Sequence, residues 1–105
     1  MDAHVSAALE RLLTIAEGGT GQSRRCANFL LAWWNAGDCG GFDFTDMWNV
    51  DQRVADDMVV VFAQVSRLNE YPDKDLYGAR FEDLVRQWRP ELVKSGHDLM
   101  AHNDG

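Results

Sequence analysis

Apolar residues recur at three- and four-residue steps along most of this chain, the period of helices with one buried face. Between Ala3 and Glu17 the set is Val5, Ala8, Leu9, Leu12, Leu13 and Ala16. Gly18 and Gly19 predict the end of that helix, because glycine accepts the left-handed conformation that closes a C-terminus. A second helix is expected from Gln22 to Ala36, ended by Gly37. After Arg25 its apolar residues, running from Cys26 to Trp34, cover nearly the whole circumference, the pattern of a central helix contacted from several sides.

The stretch DCGGFDF reads as a glycine-rich loop, followed by a short helical piece, Phe44 to Trp48. Asp43 is its expected cap, with Asp46 three residues on as a weak capping box. Asp51 looks like the N-cap of a long helix reaching Asn69, with Val54, Met58, Val61, Phe62, Val65 and Leu68 on its apolar face. Within it, MVVVF also has the β-branched content of a strand. No turn signal interrupts the helical pattern on either side, so helix is the reading. Tyr71-Pro72-Asp73 predicts a turn, and a fourth helix follows from Leu76 to Arg89, with Tyr77, Phe81, Leu84, Val85 and Trp88 on one face. Pro90 either ends it or opens one more turn, PELV. The expected fold is all-α: a compact single domain over residues 1–93, with four main helices plus a short helical piece near residues 44–48. Residues 94–105 lack a sustained pattern and are expected to form a flexible tail.

Length and composition fit that fold. With 105 residues, 46% of them apolar and four of them Trp, the chain can build one core without metals or disulfides. No window approaches a membrane span of ~18 apolar residues, and the N-terminus lacks a basic signal-peptide region, which points to the cytoplasm. So many large aromatics can exceed what a domain this size hides, which makes a homodimer an option. Cys26 lies in an apolar run and reads as a small buried hydrophobe. A Cys26–Cys39 disulfide is formally open, but a cytoplasmic setting argues against it. A zinc site would have to recruit His97 and His102, with no C-x2-C pair to complete it, and no metal or cofactor is expected.

Charge adds the first functional hint. The net charge is −7, and Asp38, Asp43, Asp46, Asp51, Asp56 and Asp57 fall within twenty residues against a single Arg53. Such a surface repels phosphates and attracts basic partners, or serves solubility alone. Catalysis would need carboxylates that converge in a cleft with a partner group. Asp51 and Asp43 have capping roles, Asp56 and Asp57 diverge on a solvent face, and the histidines lie at the chain ends, so no catalytic residue is assigned. The tandem Trp33-Trp34 points about 100° apart on a helix. Either both rings are core anchors, or one is exposed beside the acidic loop as an interface anchor.

The stretch GGTGQSRR, Gly18 to Arg25, admits three readings. It lacks the Lys-Ser/Thr end of a P-loop and follows a helix where a nucleotide fold supplies a strand. As a helix-turn-helix it would offer Gln22, Ser23, Arg24 and Arg25 as anion or nucleic-acid contacts. The apolar helix after Arg25 and the negative charge oppose direct nucleic-acid binding. As a hinge it leaves two arginines at the positive end of a helix dipole, which costs a few tenths of a kcal/mol each and calls for a carboxylate partner, expected within the protein, or an external anion.

The blocks TGQSRR, AWWNA, GGFD and WRPEL, in that order, resemble a family of small uncharacterised proteins encoded on plasmids and integrative elements of proteobacteria. The resemblance covers about Leu9 to Val93. It implies an accessory gene of mobile DNA in a bacterial cytoplasm and brings no activity with it. Gln22, Arg24, Arg25, Asn35, Asp43 and Asp57 are functional candidates by that route alone. The first functional expectation is therefore a non-enzymatic interaction module for a basic protein partner, of the kind that inhibits a host system (anti-CRISPR-like). Its binding residues would be Trp34, Asp38, Asp43, Asp46, Trp48, Asp56 and Asp57. The alternative is a DNA-associated regulator with a helix-turn-helix-like element around residues 9–36.

Overall fold

The computed structural model describes residues 1–94 of the chain. Of the tail expected over 94–105, Lys94 closes the last helical turn and the rest lies outside the described residues, as do His97 and His102. The elements are α1 (Ala3–Ala16), α2 (Gly21–Cys39), a 3₁₀ segment (Phe44–Asn49), α3 (Gln52–Arg67), α4 (Lys74–Trp88) and α5 (Pro90–Lys94). The fold is all-α, with no strand among the described residues. MVVVF is helical, and Pro90 opens a turn of its own.

As the unbroken apolar run of α2 requires, that helix is central. It packs on α1 and on α4 and carries the 3₁₀ segment, while α1 packs in turn on α3. The core is filled by Leu9, Leu12, Leu13, Leu30, Leu31, Trp34, Met58, Phe81 and Leu84, all 0–1% exposed. Trp34 stacks face to face on Phe81 of α4, and Trp33 meets the same ring edge-on.

The turn between α1 and α2 is built differently from the left-handed stop expected of two glycines. Gly40 is the only described residue with positive φ. The last turn of α1 tightens instead, with the Gly18 N–H donating to the Ile15 carbonyl at 3.0 Å. Gly18 is needed for space: a Cβ there would lie 2.8 Å from Ser23 Oγ. Ser23 is buried, and its N–H and hydroxyl both bond Thr20 Oγ1, the N-cap oxygen of α2.

Nor does Gly37 end α2, which runs on to Cys39 and stops at Gly40 with φ +94°. The expected end near Ala36 still has a physical counterpart. Asn35 leaves helical geometry (φ −166°, ψ 79°), and its side chain acts as a local cap, accepting from the Asp38 N–H at 3.2 Å and donating to the Asp38 carboxylate at 2.9 Å.

Two further expectations need correction. Phe62 and Leu68 are 54% and 42% exposed, because α3 has one main neighbour, α1, and its apolar face is wider than the surface covering it. Asp51 stands at the N-cap of α3, yet its carboxylate makes no capping bond. Its backbone N–H donates to Gln22 Oε1 at 2.7 Å, tying the start of α3 to the start of α2.

Side chains of α4 then complete the end of α1. The Trp88 indole donates to the Ala16 carbonyl at 2.9 Å and the Gln87 amide to Gly18 at 2.8 Å, satisfying carbonyls that a helix end leaves open. Arg80 bridges Glu10 at 2.7 Å and Glu17 at 2.8 Å. Arg89 joins the ends of α2 and α4, donating to the Cys39 carbonyl at 2.8 Å and to Asn28 Oδ1 at 2.7 Å.

Candidate functional site

The 3₁₀ segment forms because Asp43 starts it. Its carboxylate accepts from both the N–H and the hydroxyl of Thr45, at 2.9 and 2.8 Å. Those bonds, the hydroxyl's first, hold the Asp43 carboxyl below its ordinary pKa, so it stays anionic. A segment of six residues has only one side to bury. That side is anchored through Phe42, whose ring meets Phe29 edge-on at 5.2 Å, and through Met47, which packs on the core. Asp46 does not complete a capping box. It faces Arg25, with 3.7 Å between Oδ1 and Nε. Of the two helix-start arginines for which an internal carboxylate was expected, Arg25 has one, although 3.7 Å is too long for a hydrogen bond and leaves Arg25 Nε buried without one.

Two large rings of the segment reach solvent: Trp48, 81% exposed, and Phe44, 70% exposed, whose ring also lies against Phe42 with centroids 6.5 Å apart. Of the two tryptophans expected at a binding surface, Trp48 is available. Trp34 is 1% exposed, because its ring is the one that stacks on Phe81, and it cannot contact a partner. Phe44 was legible in the sequence only as part of the helical piece. The signal for its exposure is the brevity of that piece between two polar turns.

The six aspartates do not act as one cluster. Asp57 is neutralised by a two-pronged bond to Arg11, both contacts at 2.9 Å. Asp38 is bound to Asn35, Asp46 faces Arg25, and Asp56 accepts from the Gln52 amide. Asp43, Asp51 and Asp56 have no cationic partner among the described residues, and the first two lie on either side of Phe44–Asn49. Asp51, Asp56 and Asp57 also line a cleft of about 750 Å³ between α1 and α3, together with Gln22, Arg11 and Arg53. Ile15 and Val54 line it as well, and two of its acids are paired, Asp57 with Arg11 and Glu10 with Arg80.

The residues expected to read nucleic acid are mostly turned inward. Ser23 is buried, Gln22 holds the Asp51 N–H and Arg25 faces Asp46, which leaves Arg24 as the exposed member. Among the described residues no group of three His, Cys, Asp or Glu side chains is placed to hold a metal ion. Both cysteines are buried free thiols. Burial, and then the charge of Asp57, pushes the Cys26 thiol up to about 12, far from the range of a reactive thiolate. No described helix is long and apolar enough to cross a membrane.

No curated protein and no solved structure matches this chain. Residues 6–89 match a family of unknown function (DUF7673), and the chain belongs to that family.

Proposed function

We propose that this protein is a non-enzymatic interaction module that docks a basic protein partner on the outer side of the 3₁₀ segment. Phe44 and Trp48 are the apolar anchors, and Asp43 and Asp51 the charges that select a cationic surface. The observation that carries the reading is the exposure of Trp48 and Phe44 on a segment held to the core through Phe42 and Met47. Tryptophan in such a setting is among the residues that most often dominate interfaces, and unpaired acids at the rim favour a basic partner and speed its approach. The resemblance of the sequence blocks to proteins of proteobacterial plasmids and integrative elements supports an accessory role in a bacterial cytoplasm. Inhibition of a host system through a basic groove is one form of it.

The alternative, a DNA-associated regulator using Gln22 to Arg25, has less support, since three of those four side chains are engaged within the protein. Self-association would use Val59 and Phe62, exposed one turn apart on α3, and sedimentation at two concentrations tests it. The docking reading is tested by capture from the native host at low and at high salt. A specific protein retained at low salt and released at high salt is the expected result. A capture that ignores salt, or that yields DNA, contradicts it.

A further inference from the structure

A second cleft, of about 450 Å³, lies where the start of α1, the end of α3 and the first turn of α4 meet. The length of α3, about 24 Å at 1.5 Å per residue, separates it from the Trp48 surface. Its wall is aromatic and aliphatic, from Trp33, Leu68, Tyr71 and Leu76, and Glu70 and Asp73 stand in it as acids. No lysine or arginine side chain lines it, although Met1 does, and Asp73 Oδ1 also caps α4 by accepting from the Asp75 and Leu76 N–H groups at 2.8 and 3.3 Å. The wall is held in place: the Trp33 indole donates to the Glu70 carbonyl at 2.9 Å, and its ring abuts Phe81. The rim is open, with Leu76 70%, Tyr71 43% and Leu68 42% exposed. The volume is at the lower end of ligand pockets, enough for one or two side chains and too small for a helix to sink in.

We infer that this cleft is a second docking site and that its occupant is a basic amphipathic segment of a partner protein. The segment sets an aliphatic side chain against Trp33, Leu68 and Leu76, and an arginine or lysine against Glu70 and Asp73. Charge decides the occupant. An apolar pocket edged by the Glu70 carboxylate and the Asp73 oxygen left outside the cap, with no basic side chain, disfavours an acidic insert and rewards a cation beside the hydrophobe. A second copy of this chain, itself at net charge −7, is disfavoured by the same acids. The inference does not depend on the Trp48 surface and survives if that surface proves inert.

The four indole N–H signals of the full chain in a ¹⁵N-correlation spectrum report the outcome separately. A short capped peptide of alternating leucine and arginine is titrated in, with the leucine–glutamate peptide as control. The Trp33 indole and the amides of Glu70 to Leu76 should move with the arginine peptide, while the Trp34 signal stays put. Glu70→Gln should weaken the Trp33 response about threefold. Leu76→Ser, an exposed position, should weaken it about tenfold. A Trp33 signal that does not move, that moves equally with the glutamate peptide, that is indifferent to both substitutions, or that shifts with protein concentration alone would overturn the inference.

Discussion

Trp34 and Phe81 stack with ring centroids 4.9 Å apart and planes 15° from parallel. This contact joins the middle of α2 to the middle of α4, and both rings are 0–1% exposed. Truncating either leaves a cavity that its neighbours cannot fill. Trp34→Ala and Phe81→Ala are each expected to cost about 3–5 kcal/mol, measured by urea unfolding. That is a large part of the ~5–15 kcal/mol that holds a small domain together. The double variant should cost less than the sum of the two, because the partners share one contact.

Gly18 and Gly19 are adjacent and should behave oppositely. Alanine at Gly18 puts its Cβ 2.8 Å from Ser23 Oγ and 3.3 Å from the Ile15 carbonyl. Ser23 is buried and tied to Thr20, so it has little room to yield. Gly18→Ala is expected to destabilise by about 1–3 kcal/mol. At Gly19 a Cβ meets nothing within 4 Å, and Gly19→Ala should be neutral or stabilising by up to about 1 kcal/mol, through the unfolded state. Thermal melting of the two variants side by side checks both.

Burial raises the pKa of both thiols, that of Cys26 to about 12 from an ordinary 9.0. The folded state therefore holds these protons more tightly than the unfolded state. The resulting stability is fully present below pH 9 and is lost as pH rises toward 12. Denaturant midpoints should fall across that window, and less so in Cys26→Ala once its lower baseline is subtracted. At pH 8 a thiol reagent should label neither cysteine in the native protein and both after unfolding.

Much of the fold could be read from the sequence, for a plain reason: local periodicity decides which face of a helix is apolar. The faces of α1 and α4 and the central position of α2 followed directly. How much of an apolar face is covered is a tertiary fact, which is why Phe62 of α3 and Leu68, its C-cap, follow the apolar period and yet lie at the surface. The break in α2 escaped for a related reason. Asn35 looks unremarkable in sequence, and only the Asp38 contact shows that its side chain replaces helical bonds. The acidic segment was visible as composition, but the pairing of Asp57 with Arg11, 46 residues away, was not. Trp33-Trp34 posed a choice that adjacency alone could not settle, and the stack on Phe81 settles it for Trp34.

If the exposed rings of the 3₁₀ segment bind the partner, removing them must abolish its capture. Phe44→Ser with Trp48→Ser removes both exposed rings and one tilted contact with Phe42. It leaves the Phe29–Phe42 contact, Met47 and the Arg25–Asp46 pair in place, so the melting temperature should stay within a few degrees of wild type. Wild type and double variant are used side by side to capture partners from the native host at low salt. The predicted result is a basic protein retained by the wild type and lost, by about tenfold or more, from the folded variant. Equal retention by both proteins would contradict the proposal that this surface is the binding site.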